Sequence, residues 1–174
     1  MVIKPFHHIG LAEILEEQLW LAFTKSGICA SELKKIITLK DFKNQLEEKT
    51  GNNFSKVDSL PEDIEEGIDQ WRVKGHSAKL KFEISAYSPF QQKVWRSCSR
   101  IPFGETTTYS KIAKDINNPK AQRAVGSALG ANPIPLLIPC HRVIRNDGSA
   151  GEYGYGSHLK ELLLKREKYA NVLG

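Results

Sequence analysis

The sequence predicts an α+β protein in two domains, residues 1–85 and 86–174. Three observations carry that reading. The first half opens on short apolar runs parted by turn residues, which is a strand pattern. The second half is built from segments with helical caps and helical apolar spacing, broken by proline and glycine. Charge divides at the same place. Residues 1–85 hold 12 Lys+Arg against 14 Asp+Glu, net −2, and residues 86–174 hold 13 against 6, net +7. A small antiparallel sheet with helices is expected first, and a mostly helical domain with a helix-turn-helix second.

In order along the chain, His8 to Ile14 and Trp20 to Phe23 read as strands, the second leading through Lys25-Ser26-Gly27 into Ile28-Cys29-Ala30. Leu11, Ile14, Leu15 and Leu19 also fit a helical face, so the first of these has an alternative. Thr38 starts a helix through Phe42 and Leu46 that ends near Gly51. Asn52 to Ser59 reads as a polar loop, and Pro61 as the first turn of a helix carrying Ile64, Ile68 and Trp71. Lys79 to Ile84 alternates like a strand. Nothing in this half carries chemistry.

Ser88-Pro89 opens the second half as N-cap and first helical residue, with Gln91 completing a capping box. Phe90, Val94 and Trp95 form the apolar stripe, and Ile101-Pro102-Phe103-Gly104 ends the helix as a turn. Thr108 caps a short helix with Ile112, Ala113 and Ile116 inward, and Asn117-Asn118-Pro119 breaks it. Lys120 to Leu129 forms a second helix, anchored by Val125 and Leu129, with Arg123 off that face. Two short helices about a tight turn make the helix-turn-helix. Gly130 to Pro135 is a stiff connector, in which Asn132 can tie backbone groups across the bend. It leads into Leu136 to Cys140, read as an apolar strand.

That strand ends at Ile138-Pro139-Cys140-His141-Arg142-Val143-Ile144. A cysteine beside a histidine and an arginine, walled by apolar residues, suits a thiol activated as a nucleophile, since the thiolate is the reactive form. Taken alone, the Cys-His pair reads more readily as an ordinary buried cysteine beside a histidine.

Composition narrows the setting. With 40% hydrophobic and 26% charged residues the chain reads as globular. No apolar run approaches the roughly 20 residues that span a bilayer. The N-terminus lacks a signal-peptide pattern, so a cytoplasmic location (nuclear in a eukaryote) and no membrane partner are expected. Cys29, Cys98 and Cys140 are odd in number and widely spaced, which argues for a reducing compartment. Cys29 with His7, His8 and His76 has ligand chemistry for zinc but no diagnostic spacing, and no metal is assigned. A basic half is the footprint of a polyanion such as DNA, although basic surfaces also serve solubility.

The heptapeptide around Cys140 resembles the active-site signature of the O6-alkylguanine-DNA alkyltransferases, direct-reversal DNA repair proteins. Pro102-Phe103-Gly104-Glu105, Thr108-Tyr109, Arg123-Ala124-Val125-Gly126, Asn132-Pro133, Gly151-Glu152-Tyr153-Gly154 and Glu161 to Glu167 agree in order and spacing. The resemblance covers about residues 87–168. It implies a ribonuclease H-like N-terminal domain and a winged-helix-like C-terminal domain. The implied partner is double-stranded DNA containing O6-alkylguanine, bound by a monomer from the minor-groove side with the damaged base flipped out. A thiol cannot reach O6 in line while the base is stacked.

By the same resemblance, Cys140 takes the alkyl group, His141 draws off its proton through a water and Glu167 orients His141. Arg123 is the finger that fills the vacated stack, with Ala124 and Gly126 beside it on the DNA-facing helix. Tyr109 donates to guanine N3 and crowds the 3′ phosphate, and Asn132 braces the bend. The carbonyls of Cys140 and Val143 accept from the exocyclic amine. The Gly154 N–H faces O6, with Tyr153 and Tyr155 lining the pocket. The S-alkyl product has nothing to hydrolyse it, so one turnover is expected and no cofactor is needed.

Tyr155 stands where many members have glycine and should narrow the pocket against bulky free bases such as O6-benzylguanine. Gly130 stands where a basic residue is frequent. Other readings are a non-catalytic sensor of alkylated DNA, a cysteine hydrolase and a transcriptional regulator. Cys140 argues against the first, the basic helix-turn-helix half against the second and the short chain against the third.

Overall fold

The computed structural model describes residues 7–173. They form two compact units: one takes the chain up to Asp69 together with Ser77–Ile84, and the other takes Gln70–His76 and everything from Ser85.

The first unit is a four-stranded sheet with helices. Strands β1 (His7–Ile14), β2 (Glu17–Thr24) and β3 (Gly27–Leu33) form an antiparallel meander. Leu15 and Glu16 turn the first hairpin with φ of 52° and 63°, the paired positive values a tight hairpin requires. Gly27 opens β3 with φ of 135°, and a Cβ there would lie 2.3 Å from the Lys81 carbonyl oxygen. Only glycine fits so close an approach.

The sequence led us to expect an antiparallel sheet, and the sheet is instead mixed. Helix α1 (Leu39–Thr50) carries the chain back, and β4 (Phe54–Lys56) then pairs parallel with β1, giving the order β3-β2-β1-β4. A helical crossover is what a parallel pairing needs. This strand falls inside the stretch expected to be loop, because three residues with one apolar side chain leave no periodicity to read. Phe54 is nonetheless 2% exposed and joins Ile9, Ala22, Ala30, Phe42 and Leu46 in one core. Thr38 caps α1 by accepting from the Asp41 N–H, and Gly51 closes it in the left-handed region. Lys79 to Ile84 forms no strand; Phe82 makes a single bridge to Ile28. Pro61 precedes helix α2 (Glu62–Lys74), its carbonyl accepting from the Ile64 and Glu65 N–H groups.

The second unit gathers α3 (Pro89–Cys98), α4 (Tyr109–Asp115), α5 (Gln122–Gly130) and α6 (Ser157–Leu173), with β5 (Thr107–Thr108) paired parallel to β6 (Val143–Ile144). The capping box of Ser88 and Gln91 forms as expected. Trp95 is fully buried, and its indole N–H donates to the Ala128 carbonyl at 2.8 Å, tying α3 to α5. Thr108 caps α4, and Asn117, at φ of 60°, turns the chain toward α5. Residues 70–76 belong here because the Trp71 indole N–H reaches the Leu137 carbonyl at 3.2 Å.

Leu136 to Cys140 is a buried turn and not the strand expected. Leu136 has φ of 69°, and Cys140–Arg142 is a 3-10 turn running into β6. Pro133, Pro135 and Pro139 withhold the N–H groups a ladder would need.

Candidate active site

Cys140 sits at the mouth of that turn with 8% of its surface exposed. Asn132 fixes the bend from within. Its side-chain oxygen accepts from the Ile134 N–H at 2.9 Å, and its amide donates to the Ile138 carbonyl at 2.8 Å and to the Cys140 sulfur at 3.3 Å. Burial pushes the Cys140 thiol above its ordinary value, and the Asn132 amide and the Lys160 charge partly offset that. The resting group is therefore a thiol that needs a base.

His141 follows directly and is fully buried. Its Nε2 lies 2.6 Å from Glu167 Oε1, while Nδ1 is buried with no hydrogen-bond partner among the described residues. Burial lowers the imidazole pKa against the pull of Glu167, so the ring is neutral at pH 7. An acceptor carboxylate at Nε2 fixes the proton there and leaves the Nδ1 lone pair as a base. For Glu167, burial alone would raise the pKa. The His141 and Arg142 hydrogen bonds and charges outweigh it and hold the carboxyl below its ordinary range.

The sequence reads Arg142 only as a cation beside Cys140, with no link to Glu167. It is fully buried, and its guanidinium donates to both Glu167 oxygens at 2.9–3.1 Å and to the Gly75 and Ile101 carbonyls at 2.7 and 2.6 Å. Its plane lies 5.1 Å from the Trp71 ring and 5.5 Å from the Phe103 ring. Such a fork saturates a buried carboxylate and locks its orientation. The Gly104 N–H adds a further donor to Glu167 at 3.3 Å.

Lys160 was unassigned. It is 1% exposed, and its ammonium donates to the Val143 carbonyl at 2.7 Å and to the Glu152 carbonyl at 3.4 Å. On α6 the buried positions Leu159, Lys160, Leu163 and Glu167 recur at helical spacing. That periodicity was the available signal, and it is masked because lysine is rarely buried.

The wall opposite is aromatic. The Tyr153 ring stands edge-on to His141 at 6.5 Å and to Tyr155 at 5.5 Å. The Tyr153 hydroxyl is near enough to the Cys140 sulfur to influence it, yet it makes no well-formed hydrogen bond and stays a buried, unpartnered donor. Tyr109 heads α4, half-buried. Gly126 of α5 lies against its ring, and Gly151, at φ of 73°, would place a Cβ 3.1 Å from its hydroxyl. Burial raises the Tyr109 pKa, so the hydroxyl remains a donor at neutral pH. Arg123 and Ala124 are exposed on α5, as is Gly154 on the loop after Tyr153. The second unit thus brings Cys140, His141, Glu167, Asn132, Tyr153 and the Val143 carbonyl together, with Tyr109 and α5 beside them.

Residues 89–169 match the family model described as 6-O-methylguanine DNA methyltransferase, DNA binding domain. A methylated-DNA–protein-cysteine methyltransferase of Methanosarcina mazei is 39% identical over 140 residues, covering 78% of this chain and 84% of that protein. The chain belongs to this methyltransferase family. A probable methylated-DNA–protein-cysteine methyltransferase of mimivirus is 56% identical over 81 residues, 47% of this chain and 54% of that protein. The crystal structure of a Mycobacterium tuberculosis family member in complex with DNA superposes with a TM-score of 0.73 at 28% identity, covering 94% of each chain. The chain spans about half the length of the first curated relatives it matches.

Cys29, considered above for zinc, donates its thiol to the Ala22 carbonyl at 3.3 Å, and burial pushes its pKa up to about 11. Among the described residues no cluster of His, Cys, Asp and Glu could hold a metal ion. Cys98 is fully buried, and burial holds its thiol well above its ordinary value. Among the described residues no helix is long and apolar enough to cross a membrane.

Proposed function

We propose that this methyltransferase repairs DNA by moving the alkyl group of O6-alkylguanine, and of O4-alkylthymine, to Cys140 in a single turnover. The observation that carries the proposal is the buried thiol followed by a neutral imidazole, one nitrogen held by Glu167 at 2.6 Å and the other without a hydrogen-bond partner among the described residues. A sulfur proton passes to His141 Nδ1 through a water. The thiolate lone pair forms the S–C bond as the C–O6 bond breaks, and the electron pair leaves on guanine O6. The Tyr109 hydroxyl at N3 and the Gly154 N–H near O6 stabilise that charge. The Cys140 and Val143 carbonyls hold the exocyclic amine.

Duplex DNA binds along α5, with Arg123 entering the stack as the base flips and with Ala124 and Gly126 allowing close approach. Tyr155 narrows the pocket, so O6-benzylguanine as a free base reacts more slowly than methylated DNA. The protein acts as a monomer in the cytoplasm, or in the nucleus of a eukaryote, without a cofactor. The order β3-β2-β1-β4 with α1 before β4 supports the ribonuclease H-like reading of the first unit, and α4–α5 with the β5–β6 pair supports the winged-helix-like reading of the second.

The test is stoichiometry. Increasing amounts of protein are mixed with a fixed excess of duplex carrying one O6-methylguanine, and the remaining modified base is quantified after digestion. Loss of one lesion per protein molecule, then a plateau, is expected. Continued loss beyond equivalence would mean turnover and a hydrolytic enzyme. No loss despite binding would mean a sensor.

A further inference from the structure

A buried ammonium beside a nucleophile is costly unless it is compensated. Lys160 is 1% exposed, yet among the described residues its ammonium meets no carboxylate, only the carbonyls of Val143 at 2.7 Å and Glu152 at 3.4 Å. It lies 5.9 Å from the Tyr109 ring centroid. The titratable groups around it are the thiols of Cys140 and Cys98, the Arg145 guanidinium and the Tyr109 phenol. The guanidinium is a cation and burial keeps the phenol protonated, so only a thiol supplies an anion, and the Asn132 amide already directs a donor at the Cys140 sulfur.

We propose that Lys160 is a positioning residue for the transfer: it clamps the Val143 carbonyl in place for the incoming base and gives the Cys140 thiolate its positive counter-charge. Its first role rests on the function proposed above, because the carbonyl matters only if a base amine binds there. Its second role does not, because it concerns the free protein. Two contacts on one ammonium join β6 to the loop that leads into Tyr153 and Gly154, so one side chain ties the Val143 carbonyl to that loop. The α6 helix therefore contributes twice, through Glu167 to the base His141 and through Lys160 to the sulfur.

The groups around Cys140 that bear on the test are His141 and Glu167, Arg142, Tyr153 from its loop, Tyr109 from α4, Cys98 from α3 and Lys160 from α6. Of the cations, Arg142 is committed to Glu167 and two carbonyls. Among the described residues Lys160 has no such anion.

The experiment needs no DNA. Wild type, Lys160→Met and Lys160→Arg are alkylated with iodoacetamide across a pH series, and the rate at Cys140 is read from its peptide by mass spectrometry. Sulfur displaces iodide, so the rate follows the thiolate fraction. Lys160→Met is expected to move the midpoint up by about one unit and to slow the reaction at neutral pH about tenfold. The deficit should vanish at high pH, and Lys160→Arg should keep the wild-type midpoint. An unchanged midpoint in folded Lys160→Met would overturn the charge role. Should that variant fail to fold, Lys160→Gln carries the same test, with a neutral donor still available to the Val143 carbonyl.

The carbonyl role is read separately, as single-turnover transfer from methylated duplex at a pH where thiolate fractions are matched. A residual loss in Lys160→Met is expected, and equal rates would overturn that role. Failure of wild type itself to accept a methyl group would instead reject the function proposed above.

Discussion

Glu167 is the residue on which the site's charges converge, accepting from His141, Arg142 and Gly104 at 2.6–3.3 Å with no exposure to solvent. Replacing it with glutamine keeps the shape and removes the charge that compensates Arg142. Breaking a buried pair this way costs about 3–5 kcal/mol, so Glu167→Gln should show that loss in urea unfolding and a far slower methyl transfer. Unchanged stability would mean the Arg142 fork does not depend on the carboxylate charge. At this scale the sequence was readable where residue type and motif spacing coincide: Cys140, His141, Asn132 and Glu167 meet in the structure. Arg142 and Lys160 were not legible as interior groups, because a charged residue reads as surface until its partners are known. Those partners lie elsewhere in the chain: Glu167 and the Gly75 and Ile101 carbonyls for Arg142, and the Val143 and Glu152 carbonyls for Lys160.

Among the elements, α5 separates stability from DNA binding most cleanly. Val125, Ala128 and Leu129 are its buried face, and Arg123 is exposed on the other side. Arg123→Ala should leave unfolding free energy within about 0.5 kcal/mol of wild type, as surface substitutions usually do. Iodoacetamide should still label Cys140 at the wild-type rate, while methyl transfer from duplex DNA falls sharply. A matching loss in both reactions would show that Arg123 supports the pocket and not the DNA. Caps and apolar spacing made α1, α3, α4 and α5 readable to within about two residues at each end. Two strand readings failed for physical reasons. Lys79 to Ile84 alternates but finds only one bridging partner, and Leu136 to Cys140 is apolar but lacks the donors its prolines remove. Strand β4 was hidden by the reverse problem, since its pairing comes from β1, 47 residues away in the chain.

For the molecule as a whole, the buried titratable groups set how stability varies with pH. His141 has a folded pKa below its ordinary 6.5, so as pH falls below about that value the unfolded chain binds a proton the folded one refuses. Glu167, held below its ordinary 4.5, adds a second loss as pH falls below that value toward its folded pKa. The Cys140 thiol, raised above its ordinary 9.0, favours the protonated folded form, so stability also declines as pH climbs past about 9. Urea unfolding across this range should therefore show a maximum between about pH 6.5 and 9, and the acid arm should flatten in Glu167→Gln. A profile that keeps rising below pH 6 would contradict the neutral buried histidine. The measurement closest to the centre of the account is the intact mass of the protein after one O6-methylguanine duplex has been added. One added methyl group, mapped to Cys140 and absent from Cys140→Ala, is the predicted result. An unmodified protein with the lesion gone, or a methyl group on any other residue, would contradict it.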